Sequence, residues 1–270
     1  MATPIGNARD ITLRALDLLA AADLVAAEDT RTTGRLLSMH GITATLTAYH
    51  EHNAETARPE LVARLRAGAV VALASDAGTP LIADPGWKLV RDCIALGIAV
   101  TALPGASAVL TGLQLSGLPS DRFLFGGFLP PRSAARRTAL AELSAIPATL
   151  LFYEAPHRLA ESLDDMAAVL GDRPAAVARE LTKLFEEVRR GPLATLARHY
   201  AAAGPPKGEV VVAVGAPDPA DAALDGDALD ASLRAALETM SLRDAADAVA
   251  RSTGTPRRDV YARALARRTR

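Results

Sequence analysis

Three turns rich in glycine and proline carry the strongest chemical signal in the chain. They are Thr3–Asn7, Ser75–Pro80 and Pro104–Ser107, and each precedes a predicted helix or follows a predicted strand. Small residues let the backbone approach a ligand closely, and turns at the carboxyl ends of strands in an open α/β sheet line one crevice. One such turn would be explained as simple chain punctuation, but three together predict a ligand site.

The sequence lacks the common fingerprints of nucleotide-binding proteins and serine hydrolases. No G-x-G-x-x-G follows a strand, and neither G-x-x-x-x-G-K-[ST] nor G-x-S-x-G occurs. The expected ligand is therefore neither a dinucleotide on a Rossmann loop nor ATP on a P-loop. The run His50-Glu51-His52 is not an H-E-x-x-H zinc motif and no second cluster accompanies it, so we predict no metal site.

The elements that position these turns alternate between short apolar strands and amphipathic helices over residues 1–116. Leu24–Ala27 and Val70–Ala74 are typical buried strands, and Ile98–Leu103 is predicted as another. This alternation predicts an α/β domain with a largely parallel sheet. The run Asp84-Pro85-Gly86 predicts a helix start, with Asp84 as the N-cap and Pro85 at the first helical position.

A second domain is predicted over residues 120–216, after a break in the pattern at Ser116–Ser120. Ala175–Glu180 and Leu184–Arg189 are successive strands with a short connection, which indicates an antiparallel hairpin and hence a mixed sheet of the α+β kind. A linker is predicted at Ala216–Ala223.

A small helical domain is predicted over residues 225–270. Leu229, Leu233 and Leu237 recur at helical spacing, and Gly254 separates two further helices in the outline of a helix-turn-helix. The last twenty residues contain seven arginines and one acidic residue, Asp259, in a chain whose formal net charge is −1. A basic end on a near-neutral body is typical of a protein that meets a polyanion, and a solvated helix face explains it equally well.

Composition indicates a soluble, folded protein. Half of the 270 residues are apolar and 23% are charged, which excludes a disordered chain. No apolar run reaches the roughly 18 residues that a membrane span needs. Cys93 is the one cysteine, which excludes a disulfide framework. We expect a soluble cytoplasmic protein that does not contact a membrane.

An ordered series of short motifs resembles the ribosomal RNA small subunit methyltransferase I family, whose members are tetrapyrrole-methylase-like enzymes. The resemblance covers nearly the whole chain. It rests on Ala2–Asn7, Ala27–Arg31, Tyr49–Asn53, Ser75–Pro80, Asp84–Gly86, Pro104–Ser107, Gly127–Pro130, Tyr153–Arg158, Arg179–Lys183, Glu186–Val188 and Lys207–Glu209.

The resemblance implies a two-domain tetrapyrrole-methylase-like fold that binds S-adenosyl-L-methionine in the cleft between its α/β domains. It also implies a homodimer that methylates the ribose 2′-oxygen of a cytidine in 16S ribosomal RNA of the small ribosomal subunit, in the decoding region. The positions expected at the cofactor are Pro4, Gly6, Asp76, Ala77, Gly78, Thr79, Pro80, Pro104, Gly105, Ser107, Tyr153, Glu154, Lys207 and Gly208.

Ribose methylation would benefit from a general base, because a hydroxyl is a poor nucleophile until its proton begins to leave. The candidates are Glu28, Asp29, His50, Glu154 and His157, and the sequence does not rank them. Structural roles compete with this assignment. Asp29 suits a helix N-cap, and His157 suits a partner for a helix dipole or for a carboxylate.

Two arginine clusters are candidate RNA contacts. Arg132, Arg136 and Arg137 follow the Gly127–Pro130 turn, and the tail carries Arg257, Arg258, Arg263, Arg267 and Arg268. Arginine binds phosphate through its planar fork. We predict that removal of the tail lowers affinity for RNA and leaves cofactor binding unchanged.

The start of the chain departs from the family pattern. Relatives usually have several more residues before the Ala2–Asn7 run, and we expect such residues to complete a first strand upstream of Met1. Two other functions stay open at this stage: a methylase of a small metabolite on the same fold, and a non-catalytic RNA-binding or ribosome-assembly factor.

Overall fold

The computed structural model describes residues 1–218, 226–253 and 255–268. The described strands are β1 (Leu24–Ala27), β2 (Leu46–Ala48), β3 (Val71–Ala74), β4 (Phe123–Phe128), β5 (Thr149–Glu154), β6 (Pro174–Arg179), β7 (Glu187–Pro192) and β8 (Val210–Val214). The described α-helices are α1 (Leu13–Ala21), α2 (Thr30–Met39), α3 (Ala54–Arg66), α4 (Trp87–Ala95), α5 (Ala108–Ser116), α6 (Ser133–Leu143), α7 (Leu159–Leu170), α8 (Leu193–Ala203), α9 (Gly226–Leu237), α10 (Leu242–Thr253) and α11 (Arg257–Arg268).

The first sheet is parallel, with strand order β2-β1-β3. All four residues of β1 are buried, because helices cover both faces of this central strand. The prediction of a strand at Ile98–Leu103 was wrong. One backbone hydrogen bond reaches this segment, from the nitrogen of Ala2 to the oxygen of Leu103 at 3.4 Å, but the described residues form no β-ladder here. Val100 in the middle of the segment is 48% exposed. An apolar segment without a paired neighbour cannot satisfy a strand's hydrogen bonds.

The second sheet is mixed, with strand order β4-β5-β8-β6-β7. Strands β4 and β5 run parallel, and β8 pairs antiparallel with both β5 and β6. The predicted hairpin exists as β6 and β7, but β7 begins at Glu187 rather than Leu184. The turn takes up the difference, because Glu180 and Thr182 have left-handed backbone (φ +49° and +63°) and Leu184 lies exposed at its tip.

Helix α5 connects the two sheets, because it follows the first one in the chain and packs against the second. Its buried residues Val109 and Leu113 join a core cluster with Val211 of β8. Gly112 permits this close approach, since a Cβ there would lie 2.8 Å from Cγ1 of Val211. The other face of the second sheet is covered by α7 and α8.

Helices α9, α10 and α11 form a small cluster of their own, centred on Leu233, Ala246 and Val260. Ser241 caps the start of helix α10, because its Oγ accepts a hydrogen bond from the backbone nitrogen of Asp244 at 3.2 Å. Most of the predicted linker, residues 219–223, and Gly254 lie outside the described residues. Within the described ranges, no helix has the length and apolarity that crossing a membrane requires.

Candidate functional site

A cleft of about 350 Å³ lies between the first sheet and the second. Its size falls in the range of small-molecule sites. Both halves of the chain line it, and each half contributes carboxyl groups and apolar side chains. The lining residues are Ile5, Glu28, Asp76, Ala77, Gly78, Thr79, Ile82, Ala83, Asp84, Ala108, Phe128, Tyr153, Glu154, Ala155, Pro156, Gly208, Glu209, Val210 and Val211.

The loop after β3 forms one wall of the cleft, and backbone contacts hold it. Thr3 and Gly78 exchange two backbone hydrogen bonds, of 2.8 and 3.0 Å, and Thr79 Oγ1 donates to the oxygen of Ala106 at 3.1 Å. Further along, Leu81 and Ala83 adopt left-handed φ angles of +73° and +65°. Such backbone is costly for residues with a Cβ, and strain of this kind often accompanies functional loops.

Three carboxyl groups line the cleft in and beside this loop. Glu28 follows β1 and its Oε2 accepts a hydrogen bond from the backbone nitrogen of Asp76 at 3.1 Å. Asp76 in turn accepts at Oδ1 from the backbone nitrogen of Asp29, at 3.0 Å. The prediction of Asp84 as a helix N-cap was wrong, because Gly86 caps α4 with φ +134°, which leaves Asp84 to line the cleft. We call Glu28, Asp76 and Asp84 the acidic cluster.

The acidic cluster is under electrostatic strain. Burial, together with the charges of Glu28 and Asp76, raises the pKa of Asp84 to about 6. Partial burial also raises the pKa of Asp76. Carboxylates that are hard to ionise together create a negative potential, which a cationic ligand would relieve. The cluster therefore suits a ligand with a positive charge.

Replacing Asp84 with asparagine should stabilise the fold at alkaline pH. Because the folded-state pKa lies above the unfolded value, the folded state binds this proton more tightly, and stability falls as pH rises from about 4 through 6. At pH 8 we expect Asp84→Asn to raise the unfolding free energy by about 1–2 kcal/mol, discounted for the half-buried position.

Urea denaturation at pH 8 and pH 4 measures this effect, with Asp17→Asn as the control at an exposed position of α1. At pH 4 most of the gain should be lost, since Asp84 is then protonated in the folded state and about half protonated in the unfolded chain. An equal gain at both pH values would mean that charge is not the cause.

Tyr153 supplies the aromatic side of the cleft. Its ring lies 5.4 Å from that of Phe128 and 4.9 Å from that of Phe125. Burial and the nearby charges of Asp84 and Glu209 raise the pKa of Tyr153 to about 12, so it stays a neutral hydroxyl. This wall offers an apolar surface for a planar ligand group.

Glu154 ends β5 with a buried carboxylate that is fully partnered. Its Oε1 accepts from the backbone nitrogen of Ala155 and lies 2.8 Å from Nη2 of Arg158, and Ser162 donates to its Oε2 at 2.5 Å. All of these partners donate hydrogen bonds, so they fix the carboxylate in place. This arrangement fixes the following loop, in which Ala155 and Pro156 line the cleft.

The other candidate bases lie outside the cleft lining. Asp29 is the N-cap of α2 and pairs with Arg31, and hydrogen bonds from Arg31 lower the pKa of Asp29 to about 2. The Nδ1 atom of His50 is buried without a partner in the described chain, and the His50 ring lies 6.1 Å from that of His52. His157 is exposed.

The expected cofactor positions divide into groups. Asp76, Ala77, Gly78, Thr79, Tyr153, Glu154 and Gly208 line the cleft, as does Glu28 from the candidate bases. Pro4 and Gly6 line a second cavity, of about 220 Å³, which shares Asp76 with the cleft. Pro80, Pro104, Gly105, Ser107 and Lys207 are not among the lining residues of either cavity.

Packing explains two of these positions. A Cβ on Gly105 would lie 2.9 Å from that of Ala2. Ser107 is the N-cap of α5 and accepts from the backbone nitrogen of Leu110 at 3.4 Å.

Sequence reasoning missed Asp84 and Phe128 as cleft residues, although both lie in motifs that it singled out. In Asp84-Pro85-Gly86 the helix-start interpretation concealed the carboxylate. No sequence signal distinguishes the two roles, because the left-handed backbone of Leu81 and Ala83 is seen only in the structure. In Gly127–Pro130 the sequence indicates a turn, and nothing in it shows that Phe128 lines the cleft.

The prediction that Arg136 contacts RNA was wrong. Arg136 lies on the buried side of α6 and its side chain is 1% exposed. Its Nε lies 2.7 Å from Oδ2 of Asp165 on α7. Arg132 is exposed, and Arg137 is half-exposed with its Nε 2.5 Å from Oδ1 of Asp165.

The tail arginines lie on α11. Arg257 pairs with Asp247 and Arg263 with Asp230, and Arg258 is 95% exposed. Arg267 and Arg268 are the last two residues of α11.

Sequence profiles of two families match the chain. A profile for Tetrapyrrole (Corrin/Porphyrin) Methylases matches residues 2–197, and one for the RsmI C-terminal HTH domain matches residues 222–268. A ribosomal RNA small subunit methyltransferase I from Mesorhizobium japonicum is 55% identical over 98% of this chain and 90% of its own length. One from Escherichia coli O157:H7 is 54% identical over 72% of this chain and 68% of its own length.

Solved structures share the fold at low sequence identity. A cobalt precorrin-4 methyltransferase superposes with a TM-score of 0.59 and 17% identity over 80% of this chain and 92% of its own. A uroporphyrin-III C-methyl transferase from Thermus thermophilus, complexed with S-adenyl homocysteine, superposes with a TM-score of 0.55 and 19% identity. The match covers 80% of this chain and 95% of that chain. The predicted fold class, two α/β domains of tetrapyrrole-methylase type with a helical appendix, is confirmed.

Proposed function

Because the chain belongs to the ribosomal RNA small subunit methyltransferase I family, within the tetrapyrrole methylases, we propose the following activity for it. Family membership makes it a methyltransferase that uses S-adenosylmethionine and modifies ribosomal RNA. The finer proposal is transfer to the ribose 2′-oxygen of a cytidine in the decoding region of 16S RNA. The observation that supports a hydroxyl acceptor is the carboxylate of Asp76, which lines both the cleft and the second cavity.

The cleft residues fit S-adenosylmethionine. This compound supplies a methyl group activated by a positively charged sulfur. The acidic cluster offers that charge a favourable potential, and Phe128 and Tyr153 offer a flat apolar wall to an adenine ring. Ala77 and Gly78 leave room for close backbone contact. We propose these residues as the principal cofactor contacts, with Thr79, Glu154 and Gly208 beside them.

Asp76 is the proposed general base. It is the carboxylate that lines both the cleft and the second cavity, so a hydroxyl entering from the second cavity reaches it beside the cofactor. Partial burial raises the pKa of Asp76, which makes it a better proton acceptor than Asp29, whose pKa is about 2. Glu154 is engaged by Arg158 and Ser162 and positions its loop instead.

The arginines of α11 are proposed to hold the RNA backbone outside the cleft. Replacing Arg258, Arg267 and Arg268 together with glutamine should weaken binding to small ribosomal subunits. The slope of log affinity against log salt should become shallower by about 2–3, because each phosphate contact contributes about 0.7–0.9. A filter-binding salt titration measures this, and cofactor affinity serves as the internal control. An unchanged slope would remove these arginines from the interface.

Assembly and location are further parts of the proposal. We propose that the chain works as a homodimer in the cytoplasm with the small ribosomal subunit as its partner. Sedimentation equilibrium at low micromolar concentration tests the dimer directly, and a monomer mass at that concentration would contradict it.

The experiment that tests the activity is transfer of labelled methyl from S-adenosylmethionine to small-subunit particles from a strain that lacks this gene. Label in 16S RNA is expected, with none in particles from a strain that has it. Transfer to small tetrapyrroles and none to RNA would favour a metabolite methylase. Cofactor binding with no transfer to either would contradict the proposed function.

A further inference from the structure

The second cavity has the features of a binding site in its own right. One wall is the face of α2 that carries Thr32, Leu36 and Met39 at helical spacing. Pro4, Gly6 and Ala8 of the N-terminal segment also line it, together with Ser75 and Asp76. The cavity is thus bounded by a rigid helix and by a loop that hydrogen bonds hold in place. It is separate from the cleft except at Asp76.

Thr33 lines this cavity and carries a polar atom that the described protein leaves unpaired. The residue lines the cavity and is 2% exposed, yet its hydroxyl has no hydrogen-bond partner in the described chain. Its backbone nitrogen is satisfied by the oxygen of Asp29 at 3.1 Å. A buried hydroxyl without a partner is destabilising and rare in folded proteins. A ligand that enters the cavity would supply the missing partner.

Arg35 adds an available cation on the same helix. It lines the cavity, is exposed, and has no hydrogen bond or ion pair within the described ranges. Its neighbour Arg31 is instead held by Asp29, with Nη2 at 2.6 Å from Oδ2. A guanidinium fork free at the edge of a cavity is suited to a phosphate group.

We propose that the second cavity binds the acceptor ribonucleotide, with its phosphate on Arg35 and a ribose or base group on the hydroxyl of Thr33. This inference rests on the proposed function and names the substrate-binding residues of the same site. The carboxylate of Asp76 then faces a ribose hydroxyl from the cavity side and the cofactor from the cleft side. Leu36 and Met39 provide the apolar surface against which a base packs.

The combination of groups selects a nucleotide over other ligands of this size. One cation, one buried hydroxyl and an apolar wall match a phosphate, a sugar and a planar base in a single small molecule. A free metabolite with several carboxylates would need more cations than Arg35 supplies among the cavity residues. The carboxylate of Asp76 disfavours a second anionic group near the cleft.

Mononucleotide binding to the full chain tests the site without the RNA contacts of the C-terminal helices. The probes are cytidine and its 3′- and 5′-monophosphates, titrated by NMR with the cleft saturated by S-adenosylhomocysteine. At least one monophosphate should bind the wild type about tenfold more tightly than cytidine, because a charge-assisted contact distinguishes them. The Arg35→Gln variant should lose that advantage.

Two further variants separate the roles of the side chains. Thr33→Val should weaken cytidine and its monophosphates alike, by about fivefold, and leave stability unchanged or higher, since it removes an unpaired buried hydroxyl. Arg14→Gln, an exposed arginine on α1 outside the cavity, should leave all three affinities unchanged.

Two outcomes would overturn the nucleotide site: no advantage for either monophosphate in the wild type, or the same advantage in Arg35→Gln as in Arg14→Gln. Methyl transfer to subunits is measured separately. Its absence would defeat the proposed function and leave the binding result intact.

Discussion

Replacing Asp76 with asparagine is expected to lower kcat for methyl transfer to small subunits by about 10²- to 10⁴-fold, the usual contribution of a general base. The amide retains an oxygen that accepts from the backbone nitrogen of Asp29, so the loop should keep its position. What it loses is the ability to take the proton from the acceptor hydroxyl. The effect should therefore appear in kcat with a small change in KM for the subunit.

The pH profile separates this role from a merely structural one. Because partial burial raises the pKa of Asp76, the wild-type kcat should fall on acidification at a higher pH than an ordinary aspartate would give. The kcat of Asp76→Asn should show no such fall on acidification. Asp17→Asn, at an exposed site on α1, is the matched control and should behave as wild type. Activity of Asp76→Asn within about threefold of the control would contradict the assignment.

The largest effect on stability is expected at Asp165, beneath the second sheet. Asp165 accepts hydrogen bonds from Ser133, Arg136 and Arg137, and both Asp165 and Arg136 are buried. Asp165→Ala leaves the buried guanidinium of Arg136 without its carboxylate partner. We expect a loss of about 3–5 kcal/mol of unfolding free energy, the typical cost of an unpaired buried charge.

Urea denaturation measures this loss, with Asp164→Ala as the matched control on the exposed side of the same helix. A double variant, Arg136→Met with Asp165→Leu, should recover most of the stability, because it leaves no buried charge unpaired. A loss at Asp165→Ala no larger than that of the control would show that the network is not needed for folding.

Acid should weaken the same network. Burial alone would raise the pKa of Asp165, but hydrogen bonds from Arg137, Arg136 and Ser133 outweigh burial and lower it. Since the folded pKa lies below the unfolded one, the stabilisation is present at neutral pH and is lost as pH falls through the folded value. The difference between wild type and Asp165→Ala should therefore shrink on acidification.

Local patterns in the sequence were enough to predict most of the fold. Strand β1 has the predicted bounds, Leu24–Ala27, and Asp29 caps α2, because apolar continuity and a capping residue are encoded locally. Ile98–Leu103 shows the limit of this reasoning. A β-rich composition does not make a strand unless a neighbour pairs with it, and pairing depends on distant parts of the chain.

Of the three turns predicted to form the site, the Ser75–Pro80 loop lines the cleft through Asp76, Ala77, Gly78 and Thr79, whereas Pro104–Ser107 lines neither cavity. Glycine and proline identify such loops in a sequence, but they do not say which loops face a cavity. The raised pKa of Asp84 depends on its burial and on its distance from Glu28 and Asp76, neither of which the sequence contains. Arg136 has the residue type of a phosphate ligand and is buried instead, because Asp165 lies opposite it on α7.

The position of the transferred methyl group tests the central claim most directly. A 2′-O-methyl group removes the hydroxyl through which alkali cleaves the adjacent phosphodiester. Labelled 16S RNA should therefore release its label, after alkaline hydrolysis, in an alkali-stable dinucleotide that begins with cytidine and maps to the decoding region. Label released in mononucleotides would place the methyl group on a base and contradict the proposed reaction at the ribose.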